Sequence, residues 1–339
     1  MPNQVTIQPG NHVILVGDDE TILDAALREG HVISYGCRNG ACGTCKGTVL
    51  AGTIDYGTYQ QSALTDAEKR SGLALFCQAK PLSEVVIQCR EVSAVADIQI
   101  RTLPCRVQKM QRVARDIMVL YLKLPASERL QYLAGQYIDI LMKDGTRRSL
   151  SMANAPHDDE FLQLHLRNYG GPFSRHVFNT MKEREILRFE GPLGTFFLRE
   201  DSAKPIVLLA SGTGFAPVKA IIEHAFHVNS PRAMVLYWGA RTRTDLYLHE
   251  LPEEWARRHS NFKFVPVLSE PLPEDNWSGR TGLVHQAVMQ DLPDLSGHQV
   301  YACGVPVMVE SAHRDFTAHR GLPDEEFFSD SFTPAAPGT

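Results

Sequence analysis

No stretch of this 339-residue chain approaches the roughly 20 consecutive apolar residues that a bilayer-spanning helix requires. The longest suggestive run, Ile206-Val207-Leu208-Leu209-Ala210, is strand-sized. An excess of positive charge is also missing. Lys and Arg number 34 against 39 Asp and Glu, a formal net charge of −5, whereas phosphate-backbone binding needs cations in surplus on one face. A nucleic-acid partner and membrane insertion are therefore not expected. The opening Met1-Pro2-Asn3-Gln4 has neither a charged n-region nor an apolar h-region, so the expectation is a cytoplasmic protein without a secretory signal. No internal repeat or low-complexity tract occurs apart from a short Pro/Ala/Gly-rich tail at 333–339.

What is present is a globular composition, 43% hydrophobic and 22% charged, on a chain too long for one ordinary core. Two or three domains are expected. Over the first part, Val13–Val16 and Val85–Ile87 read as strands, Thr21–Leu27 has helical spacing, and Thr65-Asp66-Ala67-Glu68 is a capping box opening a second helix. This is a small α+β unit, with Val92–Asp97 as the connector out of it. From 100 to 200 the pattern is strand-rich. Ile117–Leu122, Tyr137–Leu141 and the strictly alternating Leu162–Leu166 suggest an antiparallel barrel. After Pro205, strands at Ile206–Ala210, Ala233–Trp238, Phe262–Leu268 and Gln299–Ala302 alternate with helix-sized segments, the pattern of an open parallel α/β sheet. The fold class is thus multidomain, with expected domains at 1–92, 100–200 and 204–335.

Seven cysteines are unevenly spread. Cys37, Cys42 and Cys45 stand as C-x4-C-x2-C, with Cys77 beyond them, the spacing of a plant-type [2Fe–2S] site. Gly36, Gly40 and Gly43 let such a loop wrap tightly enough for backbone N–H groups to face sulfur. Zinc is the other reading, but zinc knuckles usually present C-x2-C pairs on both sides, and Cys77 has no such companion. Cys89, Cys105 and Cys303 fall outside the pattern, and for the first two the expectation is small buried apolar residues.

Arg148 ends a strand where a guanidinium can grip a pyrophosphate, or where it and the Gly-Gly segment that follows are simply an exposed Arg and a loop. Gly171 and Ser174, in Gly-Gly-Pro-Phe-Ser, can bring amides and a hydroxyl to the same anion. Ser211-Gly212-Thr213-Gly214-Phe215-Ala216-Pro217 links a strand to an apolar helix, and such a turn aims backbone donors at phosphate. No acidic residue follows the strand Ala233–Trp238 to hold a ribose hydroxyl. Arg241 and Arg243 stand there instead, available to a 2′-phosphate or to solvent.

The cysteine loop with its flanking strands resembles plant-type ferredoxin domains, which implies a β-grasp fold. Gly135-Gln136-Tyr137, Arg148-x-x-Ser151, Gly170-Gly171-x-Phe173-Ser174, Glu190-Gly191-Pro192-Leu193-Gly194, Gly-Thr-Gly-Phe-Ala-Pro and Cys303-Gly304-Val305-Pro306 follow the order of the ferredoxin–NADP reductase superfamily. That resemblance implies FAD on the barrel, with Arg148 at its pyrophosphate, Ser151 near the flavin N5, and Gly171 with Ser174 at the phosphates. It implies a nicotinamide cofactor across Gly212, Thr213, Gly214 and Gly304, with Cys303 near nicotinamide C4. Phe332 is the aromatic expected to cover the flavin. NADH is implied as donor, with NADPH left possible by Arg241. The usual Tyr of Arg-x-Tyr-Ser is Leu150 here, which implies looser flavin.

The domain order is similar to that of oxygenase reductase components. The segments Arg-Ser-x-Ser-Met-Ala-Asn-Ala-Pro and Phe-Phe-Ser-Asp bring the chain nearer the CDP-6-deoxy-3,4-glucoseen reductases. The implied function is electron transfer from NADH through FAD and the cluster to an external protein, a terminal oxygenase or a dehydratase. A free-flavin or ferric reductase and a non-enzymatic redox sensor are the alternative classes.

Overall fold

The structure is a computed structural model that describes residues 2–95 and 97–332. The chain divides into two compact units, Met1–Gln99 and Ile100–Thr339.

The first unit contains β1 (Asn3–Gln8), β2 (His12–Val16), α1 (Ile22–Arg28), β3 (Lys46–Ala51), β4 (Ile54–Asp55), α2 (Asp66–Arg70), β5 (Leu73–Leu75), β6 (Lys80–Pro81) and β7 (Val85–Gln88). Its main sheet runs β2-β1-β7-β3-β5, with β1 and β7 parallel and the other pairs antiparallel. This is the β-grasp arrangement. Alternation along β2 buries Ile14 and Val16 and turns Val13 and Leu15 outward. The hydroxyl of Thr21 caps α1 by accepting from Asp24 N, and the Thr65/Glu68 capping box opens α2. The expected connector at Val92–Asp97 is partly core. Val92 N donates to Val32 O, and the Val92 and Val95 side chains are buried, because apolar residues there find cover before the chain leaves the unit.

The second unit begins with β8 (Arg101–Ala114), β9 (Ile117–Lys123), β10 (Tyr137–Leu141), β11 (Arg147–Ser151), β12 (Leu162–Arg167), α3 (Pro172–Asn179) and β13 (Ile186–Leu193). These strands form one antiparallel sheet in the order β11-β10-β13-β8-β9-β12. An antiparallel bridge between Met152 and Leu164 joins its two edges and closes the barrel. Leu103, Leu120, Ile138, Leu164 and Phe189 fill the interior.

Then follow β14 (Ile206–Ser211), α4 (Phe215–His227), β15 (Met234–Ala240), α5 (Glu250–Arg258), β16 (Phe262–Leu268), β17 (Arg280–Thr281), α6 (Val284–Asp291), β18 (Gln299–Gly304), α7 (Pro306–Arg320) and β19 (Phe327–Ser331). All pairings in this sheet are parallel, in the order β17-β16-β15-β14-β18-β19. The order reverses between β14 and β18. Such a switch point opens a crevice beyond the carboxyl ends of the strands, where ligands of open α/β sheets bind. No helix among the described residues is long and apolar enough to cross a membrane.

Candidate functional site: a cysteine loop and a two-sided cleft

In the first unit Cys37, Cys42 and Cys45 of the loop and the distant Cys77 meet as two pairs. Cys42 N donates to the Cys37 sulfur at 3.3 Å and Cys37 N to the Cys42 sulfur at 3.4 Å. The hydrogen bond with Cys42 lowers the Cys37 thiol to about 7 against the opposing effect of burial, and the amides of Asn39 and Ala41 assist. Cys45 likewise lowers Cys77, and the amide of Gly40 contributes. Within each pair the other member, Cys42 or Cys45, is pushed well up by its partner and by burial. No group of three or more His, Cys, Asp or Glu converges on a single ion position among the described residues. Two thiol pairs faced by amides, Cys45 with Cys77 buried and Cys37 with Cys42 half-buried, suit a binuclear cluster in which each iron takes two thiolates.

The loop is held rigidly. Gly40 has φ +73°, and a Cβ there would lie 2.7 Å from Thr58 O. Arg38 ties the loop to α1 through Asp24 at 2.8 Å. Cys77 is set by its neighbours, since Phe76 N donates to Cys45 O while Phe76 O and Ala79 O accept the first amides of α1. Cys105 is buried as expected, while Cys89 is only half-buried; burial pushes each thiol up to about 12, with Glu91 assisting at Cys89.

In the second unit, barrel and parallel sheet face each other across the switch point. Ser151, buried at the end of β11, donates to Asp330 Oδ2 at 3.3 Å. Asp330 pairs in register with Cys303 across β18 and β19. Cys303 is 0% exposed, and burial, with Asp330 second, pushes its thiol well up. Ser151, Asp330 and Cys303 therefore come together from three distant points of the chain. Asp330 stands in the sequence only as part of the Phe-Phe-Ser-Asp tail. The register that sets it beside Cys303 has no local signal.

The two turns at the crevice touch closely. A Cβ on Gly214 would lie 2.1 Å from Cys303 O, and one on Gly304 would lie 2.1 Å from Ser211 Oγ. Only glycine admits this approach. Ser211 Oγ accepts from Val305 N, and Gly212 O accepts from Trp238 Nε1 at 3.2 Å. Thr213 is buried within the turn. Phe332, half-buried at the margin of the apolar core, donates its backbone N–H to Gly304 O at 2.8 Å.

On the barrel side, Gly171 caps α3 without a side-chain bond, and Ser174 Oγ donates back to Gly171 O at 3.0 Å. The first-turn amides of α3 are thus left for an anion. Arg148 donates to the neighbouring Arg147 O and has no carboxylate partner among the described residues. Leu150 packs, half-buried, against the barrel core. This donor set and the buried Ser151 fit a flavin nucleotide on the barrel face.

Arg241 and Arg243 differ in their surroundings. Arg243 is tied to Asp275, its backbone N donating to Oδ2 at 3.2 Å and its guanidinium to the carbonyl. Arg241 is exposed and has no side-chain hydrogen bond among the described residues. Beside it lies an acidic residue supplied not by the end of β15 but by the segment after β16. Glu270 N donates to Arg241 O at 2.9 Å, so Glu270, just beyond β16, stands at the same edge of the crevice.

Three segments match known domain families. Residues 5–82 match a 2Fe-2S iron-sulfur cluster binding domain, 104–198 an oxidoreductase FAD-binding domain, and 208–314 an oxidoreductase NAD-binding domain. Over 336 residues the chain is 41% identical to the CDP-6-deoxy-L-threo-D-glycero-4-hexulose-3-dehydrase reductase of Yersinia pseudotuberculosis, covering 99% of this chain and 100% of that protein. It is 34% identical over 345 residues to the reductase component of phenol 2-monooxygenase from a Pseudomonas species, covering 100% and 96%. Among solved structures, the cytochrome P450 reductase GcoB of Amycolatopsis superposes with a TM-score of 0.80 at 34% identity, over 98% of this chain and 100% of that one.

Proposed function

The chain belongs to the family of reductases that join a 2Fe-2S domain, an FAD-binding domain and an NAD-binding domain in one polypeptide, and from that membership we propose that it carries electrons from NADH to a dehydratase acting on a CDP-linked hexose. It is an oxidoreductase whose cofactors are a [2Fe–2S] cluster, FAD and a nicotinamide nucleotide. The dehydratase as acceptor rests on the 41% identity to the Yersinia protein along essentially the whole of both chains. An oxygenase is the acceptor that the 34% identity to the phenol 2-monooxygenase component would support.

The observation that carries the reading is the convergence of Ser151, Asp330 and Cys303 at the switch point. Bound FAD would supply two-electron chemistry toward the nicotinamide and one-electron chemistry toward the cluster. The residues of the chain orient and shield. Ser151 presents a hydroxyl to the flavin N5, and Asp330 fixes that hydroxyl by accepting its proton in a hydrogen bond. Arg148, Gly171 and Ser174 hold the flavin phosphates. Gly212, Thr213, Gly214 and Gly304 shape the nicotinamide nucleotide site, Cys303 walls the nicotinamide C4, and Phe332 covers the flavin face. Cys37, Cys42, Cys45 and Cys77 hold the cluster.

Glu270 favours NADH, because a carboxylate at a strand end accepts a ribose 2′-OH and repels a 2′-phosphate. Arg241, alongside and exposed, is the residue that would admit a 2′-phosphate and so leaves NADPH as a second donor. The domains are 1–92, 100–200 and 204–335. The reducing conditions such a cysteine cluster needs support a cytoplasmic setting.

The test is an anaerobic visible spectrum of the purified protein, followed by NADH and NADPH in separate cuvettes. The expected result is flavin and cluster bands bleached by NADH at lower concentration than by NADPH. A colourless protein, or one that NADH leaves unbleached after FAD is added, would overturn the reading. NADH consumption driven by a purified CDP-hexose dehydratase, and not by a phenol oxygenase, is the outcome expected for the acceptor.

A further inference from the structure

Lys219 lies on α4, just after the Gly212–Gly214 turn, and its side chain is 8% exposed. Burying an ammonium is unfavourable unless it is paired and fully hydrogen-bonded. Here it donates to Glu223 Oε2 at 2.7 Å, one helical turn along, and to Ala153 O at 3.0 Å. Burial raises the Glu223 carboxyl, and Lys219 opposes that rise. An apolar pair would fill the same space without a buried ammonium and a half-buried carboxylate. What lysine adds is a donor that spans from α4 to a carbonyl two residues beyond Ser151.

The segment containing Ser151 is strung between both halves of the second unit. Toward the barrel, Met152 N donates to Gln136 O and Ala153 N to Gln163 O. Toward the parallel sheet, Ser151 Oγ donates to Asp330 and Ala153 O accepts from Lys219. Two more bridges, His165 to Tyr247 at 2.8 Å and Arg167 to Asp245 at 3.1 Å, run from β12 to the same half. Lys219 is the member of this set whose helix starts from the Gly-rich turn itself.

We propose that Lys219 is a positioning residue for hydride transfer: its ammonium, bonded to Ala153 O, fixes the strand end that carries Ser151 relative to the turn that seats the nicotinamide nucleotide. The inference rests on the flavin and nicotinamide sites argued above. Small misplacements of reacting groups can slow a transfer by up to about a hundredfold.

The test uses the full-length double variant Lys219→Met with Glu223→Leu, which removes the clamp without leaving a half-buried carboxylate unpaired. Replacing a buried ion pair by apolar residues of similar size is often neutral or stabilising, so this variant is expected to fold. Anaerobic stopped-flow reduction of the bound flavin by NADH is expected to be at least about tenfold slower at saturation, with half-saturating NADH within about twofold. The primary isotope effect with NADH deuterated at the transferred position should rise. In the flavin-free protein, hydrogen exchange over 151–155 is expected to be about tenfold faster than in the wild type, with β14 unchanged. A double variant with wild-type reduction rate and wild-type exchange over 151–155 would overturn the proposal. Should the wild type itself fail to take electrons from NADH, the functional reading falls, while the exchange measurement still reports on the clamp.

Discussion

At the residue scale, the hydrogen bond between Ser151 and Asp330 links two residues 179 positions apart, and either partner is buried. Replacing Asp330 with Ala leaves the Ser151 hydroxyl without this acceptor. The expected outcome is a flavin-reduction rate lowered about tenfold to a hundredfold at saturating NADH, read by stopped-flow absorbance, with FAD still bound. Leu150 is a second position of consequence. Leu150→Tyr supplies an aromatic contact of about 0.5–1.5 kcal/mol, so FAD affinity by fluorescence titration should tighten about two- to twelvefold. Unchanged affinity would show that the leucine does not limit flavin retention. His165 sets a pH dependence. Burial, with the charge of Lys219 second, lowers its imidazole to about 3. The unfolded chain therefore takes up a proton near pH 6.5 that the native protein refuses. Its contribution to stability is fully present above pH 6.5 and is lost as pH falls toward 3. Denaturant unfolding of His165→Leu should show a pH slope shallower by about 1.4 kcal/mol per pH unit across that window.

At the scale of elements, the crevice depends on two glycines that let β14 and β18 end in contact. A Cβ on Gly214 would meet backbone at Cys303, and backbone cannot swing aside as a long side chain can. Gly214→Ala is expected to push the two turns apart and to raise the half-saturating NADH concentration at least about tenfold, while absorbance still reports bound FAD. Equal NADH saturation in the variant would count against the crevice as the nucleotide site. Helix starts and strand periods were readable locally. The Thr65 capping box, the inward leucines of β12 and the strand–turn–helix at Gly212–Gly214 all depend on near neighbours in sequence, whereas His165, between those leucines, is buried too because Tyr247 from a distant segment covers and bonds it. The closure of the barrel through Met152 and Leu164 and the order of the parallel strands depend on pairings between distant segments, which no local period encodes.

At the scale of the whole molecule, the chain is two compact units. Expressed separately, 1–99 is expected to give a cluster-bearing protein with no NADH turnover, and 100–339 a flavoprotein that reduces ferricyanide with NADH. Loss of flavin from 100–339 would show that the second unit is not self-sufficient. The sequence by itself determined the cofactors. C-x4-C-x2-C, Arg-x-x-Ser, Gly-Gly-x-Phe-Ser and Gly-Thr-Gly are legible because each is a short contiguous run whose residue types gather a small set of donors or ligands. It determined the three kinds of fold for a similar reason, since period and turn chemistry act between near neighbours. Only the tertiary structure decided that Asp330 holds Ser151, that Lys219 reaches Ala153, and that Glu270 stands by Arg241. Those relations are set by strand register and by the packing of α4 on the barrel. Both come from long-range burial of apolar faces, and the free energy of such burial belongs to no single segment of the chain.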